Sequence, residues 1–137
     1  MSVELAVIAP GLALLLLLVA AAGRVVEVQG HIDGAARDAA RAASLAQSPG
    51  QAVALAQQAA EGDLGSSSWC AEGTVQAAVS GFPADGAAGV GQDVTVVVRC
   101  DVNMSPFRLL GFGPTKQFTG SAVAPLDTFT CRSAVAC

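Results

Sequence analysis

The spacing of apolar residues changes twice along the chain. No charged residue occurs between Leu5 and Ala22, and at about 1.5 Å rise per residue this run spans about 27 Å, close to the hydrocarbon core of a bilayer. Beyond it, apolar residues recur at alternating spacings of four and three, as on one face of a helix: Val28, Ile32, Ala35, Ala39, Ala42 and Ala46. The pattern predicts one helix from about Val3 to Gln47, with residues 1–23 in the membrane and residues 24–47 continuing beyond it.

A second helix is predicted after residue 47. Ser48 is a candidate N-cap, Pro49 suits the first helical position, and Gln51 completes a capping box. Gly62 is predicted to end this helix, because glycine is the commonest residue just past a helix C-terminus. The stretch "GDLGSSS" (62–68) is then a loop.

Alternation with a period of two takes over in the second half of the chain. In "DVTVVVRCDV" (93–102) every second residue from Val94 to Val102 is apolar, which is typical of a strand with one buried face. Two further strands are predicted in "GTVQAAVS" (73–80) and "QFTGSAVA" (117–124), and the Gly-rich stretch 82–92 is predicted to be a connection. The fold class is therefore α+β, with residues 48–137 forming a small domain whose antiparallel sheet has about three strands.

All four cysteines lie after residue 69. An even number in a small domain favours disulfides and an extracytoplasmic location. Cys70 precedes the first predicted strand and Cys100 lies on the apolar face of the second, so we pair these two; Cys131 and Cys137 would then close a C-terminal ring. Four cysteines allow three pairings. Zinc is the rival interpretation, disfavoured because no C-x-x-C occurs and because the lone histidine, His31, is interpreted as an exposed helix residue.

Composition and charge disfavour several classes of function. The chain is 53% hydrophobic and 13% charged, which suits a lipid-embedded segment joined to a small domain. Its formal net charge is −4 and it has no run of Lys or Arg, so we expect no nucleic-acid partner. A Ser-His-Asp arrangement would need His31, which lies on the predicted stalk, and "GFGPTK" (111–116) lacks the spacing of a phosphate loop and is predicted to be a turn. We expect neither an enzyme nor a cofactor.

The apolar run itself has three interpretations: a cleaved secretory signal, a plain anchor, and a helix in which Glu4 has a role. "AAAG" (20–23) resembles a signal cleavage site, but the start carries an acid and no base. An ionised carboxylate near hydrocarbon costs free energy unless it finds a partner. Glu4 therefore either lies among headgroups or pairs with a positive group of a neighbouring subunit.

The side of the membrane occupied by the domain is predicted differently by charge and by cysteines. Arg24 follows the span and no basic residue precedes it, so the positive-inside rule opposes an outside C-terminal domain. The cysteines favour that outside location. A basic leader, missing or removed, would resolve the disagreement.

"SVELAVIAPGLALLLLL" (2–18) resembles the N-terminal signature of the TadE-like family, the minor pilins or pseudopilins of tight-adherence type IV pilus systems. Glu4, Pro10 and the Leu14–Leu18 run carry the resemblance. It implies a pilin-like architecture, a role for Glu4 in recruiting the subunit into a pilus, and a set of partners: other pilin or pseudopilin subunits, an assembly platform in the membrane, and a prepilin peptidase. In the family a glycine precedes the peptidase cut. No glycine precedes Ser2, so either the true start lies upstream of Met1 or the chain is unprocessed.

Apolar residues also crowd into "NMSPFRLLGFG" (103–113), between two predicted strands. This segment either folds over the sheet as part of the core or forms a contact patch for another subunit or the membrane surface. In the second case the contact is made by Phe107, Arg108, Leu110 and Phe112.

The expected function is that of a non-catalytic minor pilin or pseudopilin of a tight-adherence pilus, stored in the lipid bilayer by its N-terminal helix. We expect a single-pass cytoplasmic membrane protein with an extracytoplasmic C-terminal domain that is incorporated in a surface pilus. The alternative is a single-span, membrane-anchored extracytoplasmic binding protein unrelated to pili.

Overall fold

The computed structural model describes residues 2–68, 70–83, 92–111 and 113–127, and for residues 2–5, 106, 109 and 110 it describes the backbone alone. A long helix, α1 (Ser2–Ser44), is followed by a shorter one, α2 (Pro49–Leu64). The strands β1 (Gln76–Ser80), β2 (Asp93–Asn103) and β3 (Thr115–Pro125) follow, with a 3₁₀ helix (Ser105–Leu110) between the last two. These elements confirm the α+β fold class.

The α2 helix begins where its capping residues predict. The Ser48 hydroxyl accepts a hydrogen bond of 3.3 Å from the Gln51 N–H, and the Gln51 side chain accepts one of 2.9 Å from the Gln47 N–H. The predicted end at Gly62 is wrong, because the helix continues to Leu64. Leu64 is fully buried in the core, and its burial outweighs the roughly 1 kcal/mol that one glycine costs inside a helix.

The sheet has the order β1-β2-β3, and both pairs are antiparallel. All five predicted inward-facing residues of β2 are buried, which confirms the period-two prediction: Val94, Val96, Val98, Cys100 and Val102. The β1 strand is shorter than the predicted range 73–80, and β3 is longer than 117–124. Within the predicted connection 82–92, residues 84–91 lie outside the described residues.

Both helices pack on the same face of the sheet. The α1 helix crosses β2 and β3, while α2 lies against β1 and α1. Ala42 of the predicted stripe is half-buried, whereas its other five members are buried. Most of the helical contribution to the core comes from alanines: Ala35, Ala36, Ala39, Ala40 and Ala43 on α1, and Ala52, Ala56 and Ala60 on α2. Residues 28–46 therefore share one core with α2 and the sheet.

Short side chains allow α1 to approach the sheet closely at Gly120 of β3. A Cβ atom at this position would lie 2.8 Å from the Ile32 carbonyl oxygen and 2.9 Å from Asp33 Oδ1. A separation below 3.0 Å is too short for any real Cβ contact. Glycine at residue 120 therefore sets the distance between helix and sheet.

Candidate assembly surface

The N-terminal part of α1 presents a continuous exposed apolar surface. The described part of the chain leaves its side chains exposed: Val7 is 72% exposed and Leu16 is 68% exposed. Of the described helices, α1 is the one long and apolar enough to cross a membrane, with a mean hydropathy of 2.5 in its most apolar window. This helix could therefore serve as a membrane anchor.

Glu4 and Pro10 both lie within α1. The backbone of Glu4 belongs to the first turns of the helix, and its side chain is outside the described part of the chain. The helix runs without interruption through Pro10, although proline supplies no N–H to the helical ladder. Lipid-embedded helices tolerate this loss better than soluble ones. The assembly role of these two residues stays a prediction.

The same helix changes its environment along its length. Residues 6–20 are exposed, whereas Val28 and Ile32 are almost fully buried beneath the sheet. His31, between these two in sequence, is exposed. The single helix α1 thus carries an exposed apolar surface near its N-terminus and residues buried in the folded core further along.

Cys70 and Cys100 are joined by a disulfide, with their Cα atoms 5.6 Å apart. This is the pairing favoured by the sequence. The disulfide connects the segment that precedes β1 to the buried face of β2. Cys70 also forms an isolated antiparallel β-bridge with Val102 of β2. Cys131 and Cys137, the second predicted pair, lie outside the described residues.

The predicted contact segment between β2 and β3 divides between core and surface. Met104 is buried and Phe107 is half-buried against the core, as the core interpretation predicts. Arg108 is exposed. The backbone of Leu110 ends the 3₁₀ helix, but its side chain and the whole of Phe112 lie outside the described residues. A contact of this segment with another subunit stays a prediction.

The stretch 111–116 begins with a turn residue, Gly111, and ends in β3. Gly111 adopts a φ of 83°, a left-handed conformation that glycine adopts without steric cost. The Pro114 carbonyl accepts a hydrogen bond of 2.9 Å from the Met104 N–H, which closes the connection from β2 to β3. The predicted turn is therefore confirmed at the start of the stretch, whereas Thr115 and Lys116 belong to β3.

The described side chains form no metal-binding group. Nowhere in the described ranges do three His, Cys, Asp or Glu side chains come together in a way that could hold an ion. An open cleft of about 330 Å³ beside the disulfide is lined in part by Glu61, Glu72 and Gly73. Two carboxylates in an open cleft do not by themselves make a site.

Residues 1–41 match a family model described as "TadE-like protein". The match covers the exposed apolar part of α1 and most of its buried part, and we call residues 1–41 the TadE-like segment. It confirms the resemblance drawn from Glu4, Pro10 and the leucine run. The match suggests involvement with tight-adherence pilus systems, whose components are then the general class of partner.

The rest of the chain lies beyond the TadE-like segment. Neither the search of curated proteins nor the search of solved structures gave a match.

Two glutamines that the sequence did not single out cover parts of the sheet edges. The Gln29 amide of α1 donates a hydrogen bond of 3.0 Å to the Thr119 carbonyl of β3. On the other edge, the Gln57 side chain of α2 accepts from the Ala77 N–H at 2.8 Å and donates to the Val75 carbonyl at 2.9 Å. Each amide satisfies backbone groups that would otherwise face a neighbouring strand. No local sequence signal distinguishes these glutamines from solvent-exposed ones, because their partners lie far away along the chain.

Proposed function

We propose that this protein is a non-catalytic minor pilin or pseudopilin that takes part in assembling a tight-adherence type IV pilus. The observation that carries the proposal is the two-part helix α1. Its TadE-like segment leaves residues 6–20 uncovered, and the buried residues that follow attach the same helix to the small α+β domain.

The exposed part of α1 needs an apolar environment at every stage. At roughly 25 cal/mol per Å² of apolar surface, leaving such a surface in water is strongly unfavourable. A bilayer covers it before assembly, and the helices of neighbouring subunits cover it in a pilus. Transfer between these environments costs little hydrophobic free energy, because lipid tails and leucine side chains are similarly apolar.

The Glu4 carboxylate makes the pilus more favourable than the bilayer for this helix. A carboxylate at the edge of the hydrocarbon region gains free energy when it meets a positive group, such as the N-terminal amine of another subunit. In the bilayer that partner is absent. Glu4 therefore favours docking onto the growing pilus, while Leu5–Ala22 provide storage in the membrane.

The proposed role includes no catalytic step. The core of the described residues consists of apolar side chains, and no charged or polar side chain among them is buried. The proposal therefore rests on the surfaces of the chain, above all on the exposed part of α1.

The proposal is tested with Glu4→Gln in cells that assemble the pilus. We expect the variant to remain in the membrane fraction at normal abundance and to be lost from sheared, purified pili. Glu27→Gln is the matched control, since Glu27 is an exposed glutamate of the same helix outside the apolar run. Mass spectrometry of the pilus-bound chain would establish its N-terminus in the same experiment.

Normal incorporation of Glu4→Gln would contradict the docking role of Glu4. Complete absence of the unaltered chain from pili, together with normal retention in the membrane, would favour the anchored binding protein instead. A mature chain that begins near Gly23 would contradict membrane storage, because it would lack the apolar run.

A further inference from the structure

The β3 strand forms one edge of the sheet, and the direction of its backbone groups is fixed by its neighbours. The Ala77 N–H of β1 points away from β2, towards Gln57. Its opposite residue on β2, Val98, therefore turns its backbone towards β3 and Gly120. Residues alternate along a strand, so Thr119, Ser121 and Val123 turn their N–H and C=O groups outward. The hydrogen bond from Gln29 to the Thr119 carbonyl is consistent with this assignment.

Only the first part of this outer edge is covered by α1. Gln29 satisfies the Thr119 carbonyl, but no described residue bonds the outward groups of Ser121 or Val123. Both residues are exposed, and the Val123 side chain is 61% exposed. We call Ser121 to Val123 the open edge. An unpaired strand edge of this kind is a template for one more strand.

A groove runs between the open edge and α1. Its volume is about 440 Å³, and it is lined by Arg37, Arg41 and residues 121–125. Both arginines are exposed. The groove therefore places two cationic side chains beside the outward N–H and C=O groups of Ser121 and Val123, which no described residue bonds. A ligand that pairs with these backbone groups and with the arginines must be extended and negatively charged.

The spacing of the two arginines defines the occupant more closely. Arg37 and Arg41 are four residues apart on a helix, which corresponds to about 6 Å along its axis. Residues two apart on a β-strand are separated by about 6.7 Å and point to the same face. A strand added at the open edge would therefore place carboxylates at positions i and i+2 opposite Arg37 and Arg41.

We propose that the open edge of β3 binds an extended acidic segment of another protein, by strand addition. The segment pairs its backbone with Ser121 and Val123, and two acidic residues separated by one residue contact Arg37 and Arg41. Gln29 limits the added strand to a few residues, because it already occupies the Thr119 carbonyl. The proposal does not depend on the pilus role, since it rests on residues 119–125 and the two arginines.

The first test measures binding of labelled peptides to the full chain in detergent micelles. The probe is a fluorescein-labelled Val-Glu-Thr-Glu-Val peptide, followed by fluorescence anisotropy at low salt. We expect saturable binding that weakens as salt is added. Peptides with glutamine or lysine in place of both glutamates should bind at least about tenfold more weakly, as should a peptide with adjacent glutamates. Equal binding of the glutamine peptide would overturn the charge requirement and with it the proposal.

The second test changes the protein. We expect Arg37→Gln combined with Arg41→Gln to weaken binding about tenfold, whereas Arg99→Gln, an exposed arginine of β2 outside the groove, should leave it unchanged. Val123→Pro removes one outward N–H and should abolish binding. Gln117→Pro is its control, because residue 117 also turns its N–H outward but lies outside the groove.

Amide exchange distinguishes strand addition from attraction by charge alone. Binding of the glutamate peptide should slow exchange of the Ser121 and Val123 N–H groups, while the N–H groups of Ala122 and Ala124 are already protected by β2. This measurement keeps the proposal falsifiable even if Val123→Pro fails to fold. Binding without protection at Ser121 and Val123 would overturn strand addition. Self-association of the chain that competes with the peptide would assign the edge to a second copy, and would also overturn the proposal.

Discussion

Gly120 is the residue of β3 against which the backbone of α1 packs directly. It lies on the inward face of β3, where the Ile32 carbonyl of α1 comes closer than a side chain would permit. Glycine within a strand usually weakens it, and a close backbone approach is one of the few reasons to place it there. The close approach follows from the alanine-rich surface of α1.

Gly120→Ala should destabilise the domain by about 1–3 kcal/mol, the usual cost of forcing an extra methyl group into a packed contact. The measurement is chemical denaturation in detergent, followed by the fluorescence of the lone tryptophan. Gly30→Ala is the matched control, since a Cβ there meets nothing within 4 Å. Helix propensity predicts that the control is stabilised by about 0.5–1 kcal/mol. Equal effects of the two substitutions would contradict the close contact at Gly120.

The disulfide between Cys70 and Cys100 closes a loop with a sequence separation of 30 residues. In the chain-entropy account, a crosslink of this length stabilises the folded state by about 3–4 kcal/mol. We expect Cys70→Ala combined with Cys100→Ala to lower the free energy of unfolding by that amount. Treating the unaltered protein with reductant should have the same effect.

Reductant added to this double variant provides the control. It should produce little further change in the denaturation midpoint, if the Cys70–Cys100 bond carries most of the stabilisation. A second loss of similar size would show that a bond between Cys131 and Cys137 also stabilises the fold.

The α2 helix illustrates what the sequence could and could not predict at the scale of an element. Its start was predictable because Ser48, Pro49 and Gln51 act through bonds and conformations local to the chain. Its end was not, because Leu64 reaches a buried position that only the assembled core provides. Gly62 is the stronger local signal, and tertiary packing overrides it.

Gln57→Met should weaken the attachment of α2 to β1. Methionine keeps the length of the side chain but leaves the Ala77 N–H and the Val75 carbonyl without their partner, at a cost of about 1–2 kcal/mol. Amide exchange at Ala77 should become faster by a corresponding factor. Gln58→Met is the control, because Gln58 is the exposed neighbour on the same helix. An unchanged amide exchange rate at Ala77 in Gln57→Met would contradict the hydrogen bonds between the Gln57 side chain and the backbone beside β1.

At the scale of the whole molecule, the exposed part of α1 should determine partition into membranes. Leu14→Lys combined with Leu17→Lys places two charges in the apolar run, each at a cost of about 2.5–3.5 kcal/mol near the bilayer centre. We expect a large loss from the carbonate-resistant membrane fraction. Val26→Lys combined with Leu45→Lys is the control, since both residues are exposed apolar positions outside the run. Equal retention of the two double variants would contradict membrane anchoring by residues 5–22.

Across the molecule, the sequence predicted features that depend on periodicity or local chemistry. The apolar run, the stripe from Val28 to Ala46 and the alternation in β2 all specified their elements and buried faces. The groove at Arg37 and Arg41 could not be foreseen, because it exists only where α1 crosses β3. The same holds for the open edge, which depends on the strand order and on where Gln29 reaches.

The unbroken course of α1 from Ser2 to Ser44 has a mechanical consequence. An α-helix resists twisting about its own axis, since any rotation at one end must strain the hydrogen bonds of every turn in between. With no joint between residues 20 and 28, the azimuth of the sheet is coupled to the azimuth of the lipid-facing or neighbour-facing side chains. Rotating residues 6–20 about the helix axis within a bundle of helices would therefore rotate Ser121 and Val123 through the same angle. The packing of residues 6–20 against neighbouring helices thus determines the direction in which the domain faces around that axis.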